Sequence, residues 1–87
     1  NDNQKIPKEE ITGTITYIDI SGGFYGVVTS GGQNYLPINI QKDLKENVGK
    51  TITITDSFER NDIMTIFMWG TYIYVGDESN TGFSISN

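Results

Sequence analysis

The chain of 87 residues has no cysteine, no histidine and only two prolines. Without cysteine there is no disulfide framework, no thiolate metal site and no thiol nucleophile. Without histidine the commonest acid–base group and a principal zinc ligand are gone. Carboxylates are left to do such chemistry, and they are scattered. Asp77-Glu78 is an adjacent pair near the C-terminal end, but its surroundings do not match calcium-loop spacing. Carboxylates of this kind normally sit in solvent. No apolar run is long enough to cross a membrane as a helix. The expectation is a non-enzymatic protein with no cofactor and no metal.

Positive charge is also scarce. Six Lys and Arg face eleven Asp and Glu, for a net charge of −5. Lys5 and Lys8 fall in the opening segment, which leaves Lys42, Lys45, Lys50 and Arg60 for the folded part. Affinity for a polyanion comes mostly from phosphate neutralisation, so nucleic acid is a disfavoured partner. The chain begins at Asn1 rather than Met. It is therefore expected to be a processed form of an exported protein. Its location would be the outer membrane as a lipoprotein, the periplasm or the exterior. Membrane contact would come only through a lipid anchor absent from this sequence.

What is present is β-pattern. Glycine pairs at Gly22-Gly23 and Gly31-Gly32 separate short apolar runs, the signature of tight hairpins. Neither pair opens a helix with a following Lys, so neither is a phosphate cradle. Three strands of a meander are predicted: 9–20, 24–30 and 33–36, the last ended by Pro37. In the first, Ile11, Gly13, Ile15 and Tyr17 share one face and Thr12, Thr14 and Thr16 the other. Ile18 and Ile20 break that phase, which predicts a bulge or bend. A helix is predicted over 39–48, from Ile40, Leu44 and Val48 at i, i+4, i+8. Asn39 would cap it and Gly49 would stop it. A strand over 50–59 alternates Ile52, Ile54 and Phe58 with threonines. A polar loop over 57–62, an apolar segment over 63–69 and a last strand over 71–75 follow. Residues 1–9 read as a flexible leader, 10–76 as the domain, and 77–87 as a polar tail with room for a short edge strand.

Three meander strands, a short helix, a strand and a closing strand give an all-β barrel with the element order of the five-stranded OB-fold, its helix between strands 3 and 4. The run Gly22-Gly23-Phe24-Tyr25-Gly26, then Tyr35, Pro37 and Asn39, then Met68-Trp69-Gly70-Thr71, resembles small bacterial OB-fold proteins, many of them exported or lipid-anchored. The resemblance covers about 11–75. In size, expected export and fold the chain is similar to the potempins, lipoprotein inhibitors of secreted peptidases. That resemblance implies a protein partner, a secreted peptidase with metallopeptidases favoured, and a monomer when free.

Two segments flank one face of such a barrel and are the candidate contact loops. They are the hairpin turn Ser21, Gly22, Gly23 and the loop Ser57, Phe58, Glu59, Arg60, Asn61, Asp62. Against a metallopeptidase, Glu59, Asp62 or a backbone carbonyl would approach the metal. An aromatic face of Tyr25, Tyr35, Trp69 and Tyr72 supports the alternative, an oligonucleotide- or oligosaccharide-binding module that stacks rings on its ligand. A structural envelope subunit is the third reading.

Overall fold

The structure, a computed structural model, describes residues 6–60 and 69–87. Its strands are β1 (Ile6–Lys8), β2 (Ile11–Ile18), β3 (Phe24–Thr29), β4 (Asn34–Pro37), β5 (Thr51–Ile54), β6 (Ser57–Glu59), β7 (Thr71–Val75) and β8 (Phe83–Ser86), with one helix, α1 (Gln41–Lys45), after β4. They form one mixed sheet in the order β1-β6-β7-β4-β3-β2-β5-β8. The all-β class and the single short helix hold. A closed five-stranded barrel does not describe this sheet, which has eight strands and, among the described residues, two unjoined edges.

The added strands have clear origins. Part of the expected leader, Ile6–Lys8, pairs antiparallel with β6. Part of the expected tail, Phe83–Ser86, pairs antiparallel with β5 as an edge strand. The single strand expected over 50–59 is split at Thr55 and Asp56, so that β5 pairs with β2 and β6 pairs with β7.

Alternation builds the core. Ile11 and Ile15 of β2, Val27 of β3, Ile52 and Ile54 of β5, and Ile73 and Val75 of β7 are all buried in one cluster. Tyr35, Ile40 and Leu44 complete it. Each aliphatic side chain withdrawn this way stabilises the fold by roughly 1.5–3 kcal/mol before the entropy of ordering is charged against it. The threonines between them face outward and suit a pleated surface.

The phase break at Ile18 is not a bulge. β2 and β3 stay in unbroken register from Gly13↔Thr29 to Ile18↔Phe24. The second face turns apolar there because it is covered. Phe24 is buried and meets the Trp69 ring edge-on, 5.7 Å between centroids at 62°. A Cβ on Gly26 would collide with the same indole, so glycine at 26 is what lets Trp69 lie against the strand.

The helix is shorter than its spacing predicts. It spans Gln41–Lys45, with Leu44 fully buried, and Val48 falls beyond it and is exposed. Ile40, not Asn39, is the N-cap, and it makes no side-chain capping bond. Asn39 is engaged elsewhere. Its Nδ2 donates to the Val75 carbonyl at 2.9 Å and its Oδ1 accepts from the Val75 amide at 2.9 Å. Gln41 does the same at Tyr25, accepting from its amide at 2.9 Å and donating to its carbonyl at 2.8 Å. Each side-chain amide thus takes the place of a neighbouring strand at one residue of β7 or β3.

The bend at Thr55 and Asp56 is clamped by residues 76–82. The Gly82 carbonyl accepts from the Thr55 amide at 2.8 Å and the Asp56 amide at 3.2 Å. The Gly76 amide donates to the Asp56 carbonyl at 2.7 Å. Both glycines have positive φ, 77° and 78°. A Cβ on Gly82 would stand 2.6 Å from the Gly76 nitrogen and 2.8 Å from the Asp56 oxygen. Between them Asp77 closes the loop. Its Oδ1 accepts from the Ser79 amide (2.7 Å), the Ser79 hydroxyl (2.8 Å) and the Asn80 amide (3.1 Å). These bonds favour the charged carboxylate, the Ser79 hydroxyl most and the Ser79 amide next. They hold Asp77 below its ordinary 3.8 while desolvation works the other way.

Two expectations follow. Gly82→Ala should lower stability by roughly 2–4 kcal/mol, from left-handed backbone plus overlap with main-chain atoms. Gly31→Ala, whose Cβ would find only the Thr29 hydroxyl at 3.9 Å, should stay within about 0.5 kcal/mol of wild type. Urea denaturation of both variants checks the contrast, and equal losses would refute the clamp. Because the folded pKa of Asp77 is lowered, its contribution is present above 3.8 and lost as pH falls through the folded value. The stability gap between wild type and Asp77→Ala should therefore close in acid. A gap that is flat across the acid range would show that the carboxylate does not hold the loop.

Candidate functional site

The β2–β3 hairpin tip is a short, stiffened projection. Ser21, Gly22 and Gly23 have consecutive positive φ values of 52°, 91° and 97°. The Gly23 amide donates to the Ile20 carbonyl at 2.9 Å and closes the turn. A side chain on Gly23 would run into the Tyr17 hydroxyl, so the turn rests directly on that ring. Tyr17 in turn packs on its cross-strand partner Tyr25, with centroids 5.3 Å apart. On the other face the Trp69 ring packs edge-on against Phe24, the first residue of β3.

This supported turn carries apolar groups in solvent. Tyr17 is 47% and Ile20 44% exposed. Single exposed hydrophobics are ordinary on any surface. Here two of them lie within four residues on one rigid hairpin, which is a feature of contact sites. Neither residue was singled out as a contact from the sequence, because Tyr17 continues the inward face of β2 and Ile20 reads as the end of its strand. The available signal was the glycine pair, which fixes where the strand must stop.

The second candidate segment is not a loop over its first three residues. Ser57, Phe58 and Glu59 form β6, paired on both sides, to β1 and β7. Glu59 is 3.5 Å from the Lys8 ammonium, an intramolecular partner for the carboxylate proposed to approach a peptidase metal. The Arg60 guanidinium lies over the Tyr74 ring at 5.4 Å, and its amide donates to the Tyr72 carbonyl at 3.2 Å. Asn61 and Asp62 lie outside the described residues. The structure does not bring the segment ends together. β6 runs in the direction of β3, so Arg60 leaves the far end of its strand while residues 21–23 precede the start of theirs.

The aromatic face divides as well. Tyr35 is buried in the core, its ring 5.9 Å from the Lys8 ammonium. Tyr25 packs against the core, and Trp69 is occupied by Phe24 and Gly26. Tyr72 is half-buried on the outward side of β7. A different pair is parallel: Phe58 and Tyr74, directly opposite on β6 and β7, stack 5.6 Å apart at 9°. They border a shallow hollow of about 750 Å³ with Asn39, Val75, Asp77, Glu78 and Ser79. Among the described residues no group of three or more His, Cys, Asp or Glu is placed to hold a metal ion, and no helix is long and apolar enough to cross a membrane.

Ser57 is a core residue rather than a contact. It is 5% exposed and its hydroxyl has no hydrogen-bond partner among the described residues. A buried unsatisfied hydroxyl costs about 1–3 kcal/mol, so Ser57→Ala should raise stability by about 1 kcal/mol in chemical denaturation. A comparable loss instead would reveal an ordered water serving that oxygen. Comparison of the chain with protein-family models, with characterised proteins and with solved structures gave no match in any of the three.

Proposed function

We propose that this chain is a non-enzymatic, exported protein-binding module of OB type that inhibits a secreted peptidase. The fold part of this reading is supported by ladder order. The β2-β3-β4 meander, the parallel β4–β7 pair and the helix after β4 match an OB barrel if β5 and β6 count as one strand bent at Thr55 and Asp56. The functional part is carried by one observation: a glycine turn that rests on the Tyr17 ring presents Tyr17 and Ile20 to solvent. A loop already fixed in its bound shape loses little entropy on docking, the requirement for a tight inhibitor built on a small domain.

An oligosaccharide-binding reading is favoured by the parallel, stacked Phe58–Tyr74 pair beside a hollow lined by Asn39, Asp77, Glu78 and Ser79. Flat rings accept the apolar face of a sugar, and the neighbouring amide and carboxylates accept its hydroxyls.

One set of titrations separates them. With a panel of secreted metallo- and serine peptidases, the inhibitor reading expects loss of activity and co-elution with at least one of them. Absence of both with every peptidase refutes it. With neutral glycans, the sugar reading expects saturable binding that Tyr74→Ala abolishes. Single-stranded DNA should leave Trp69 emission unchanged, since a net charge of −5 opposes the phosphates.

A further inference from the structure

The two edges of the sheet differ in kind. At one edge β1 is blunted: Pro7 at its centre carries no amide hydrogen, and Lys8, Glu9 and Glu10 place charge around it. At the other edge β8 has no neighbour beyond β5 among the described residues, and it carries none of these protections. Residues 79–87 read Ser-Asn-Thr-Gly-Phe-Ser-Ile-Ser-Asn, without a charged side chain or a proline. Its ladder partner β5, Thr51–Ile54, is uncharged too. The Thr55 amide donates to the Gly82 carbonyl at 2.8 Å, the next pair after Ile54↔Phe83 in the β5–β8 register. An antiparallel ladder alternates, so Ser84 and Ser86 turn their main-chain groups toward β5. Phe83 and Ile85 turn their amides and carbonyls to the open side. The side chains of Phe83 and Ile85 are only half-buried, at the margin of the core. The same two residues thus leave both backbone and apolar surface uncovered.

We propose that β8 is a docking edge and that its occupant is a second copy of this chain, paired antiparallel about a two-fold axis at Ser84. In that register Phe83 faces Ile85 of the second copy, and Ile85 faces its Phe83. Each such pair exchanges amide-to-carbonyl bonds in both directions, and every residue used lies inside β8. A two-fold at Ile85 would instead need Asn87, beyond the strand. The alternation Phe-Ser-Ile-Ser is complementary to itself under this operation: the apolar side chains meet on the core side and the serines on the outer side. Charge selects the same occupant. Each copy carries −5 and repels another over most of its surface. At β8 and β5 no like charges are brought together, and a basic strand from another protein finds no carboxylate along β8 to pair with. The strand is short, so the dimer is weak, with Kd of roughly 10 μM to 1 mM. It departs from the monomer that the family resemblance implies.

Sedimentation equilibrium of the wild-type chain from ~10 μM to ~1 mM should show a reversible monomer–dimer equilibrium. The chain has no cysteine, so Ser84→Cys introduces a single thiol that faces its own copy. Opposed residues of this kind lie about 4.5 Å apart at Cα, inside the roughly 4.4–6.8 Å that a disulfide spans. Ser84→Cys should therefore oxidise to a covalent dimer at least ~10-fold faster than Ser30→Cys, placed at an exposed turn. Ser84→Lys and Ser84→Glu should each weaken dimerisation about 5-fold, and an equimolar mixture of the two should restore it. Ser84 is exposed, so thermal unfolding of these variants at low concentration should match wild type. A wild-type chain that stays monomeric at ~1 mM overturns the proposal. So does a dimer whose Ser84→Cys form cross-links no faster than Ser30→Cys, or whose affinity is unchanged in both charged variants, because such a dimer uses another surface.

Discussion

The structure depends on a corner. Between β5 and β6 the chain has only Thr55 and Asp56, yet the two strands pair on opposite sides of the ladder, with β2 and with β7. Two residues span at most about 7 Å when extended. Four other strand positions lie between β5 and β6 in the sheet order, and a flat sheet would need about 4.8 Å for each step. A flat sheet with this connection is therefore impossible, and the sheet must curl until β5 and β6 are near neighbours. Curling brings Ile52 and Ile54 into one cluster with Ile73 and Val75. The core is a consequence of that corner, and the clamp from Gly76 and Gly82 is what satisfies the amides and carbonyl that the bend removes from the ladder.

The same problem, a backbone group left without a strand, is solved twice more by side chains. Val75 ends β7 and Tyr25 lies near the start of β3. At both places a carboxamide, Asn39 of the β4–α1 connection or Gln41 at the start of α1, bonds to an amide and a carbonyl of one residue. Asn and Gln suit this because each carries a donor and an acceptor in the plane of one amide, the arrangement of a peptide group. The helix is thereby tethered at two points, and Leu44 can be driven into the core although five helical residues are too few to be stable alone. The short helix is held by the sheet rather than by its own hydrogen bonds.

Sequence pattern made the class and most strand positions legible, for a physical reason: alternation is imposed by burial on one side, and burial on one side is what β2, β5 and β7 have. Where both sides are covered the pattern misleads. Ile18 and Phe24 are apolar because Trp69 lies over the second face, and a contact from a residue over forty positions away leaves no local mark. The split of 50–59 was half visible, since Asp56 interrupts the apolar face, but a corner and a strand end look alike without the partner strands. Asn39 was misread as a cap because its chemistry suits that role equally well; only the position of Val75 decides between the two. Of the candidate site, the turn at Ser21, Gly22 and Gly23 was legible from glycine alone. The burial of Ser57 and Tyr35 was not, because it depends on β1, a strand that composition places in a leader.

The β2–β3 hairpin is anchored at its inner end by this architecture. A free hairpin of that length is marginal in water. Here the inner end of the hairpin is paired on both sides, Ile11–Thr14 of β2 with β5 and Val27 and Val28 of β3 with β4, while Thr16–Ile18 and Phe24–Gly26 near the tip pair with each other and Gln41 bonds the outer edge at Tyr25. The two rings that pack on the hairpin come from different levels of organisation: Tyr17, under Gly23, is local to it, whereas Trp69, against Phe24 and Gly26, arrives only after the chain has rounded the corner.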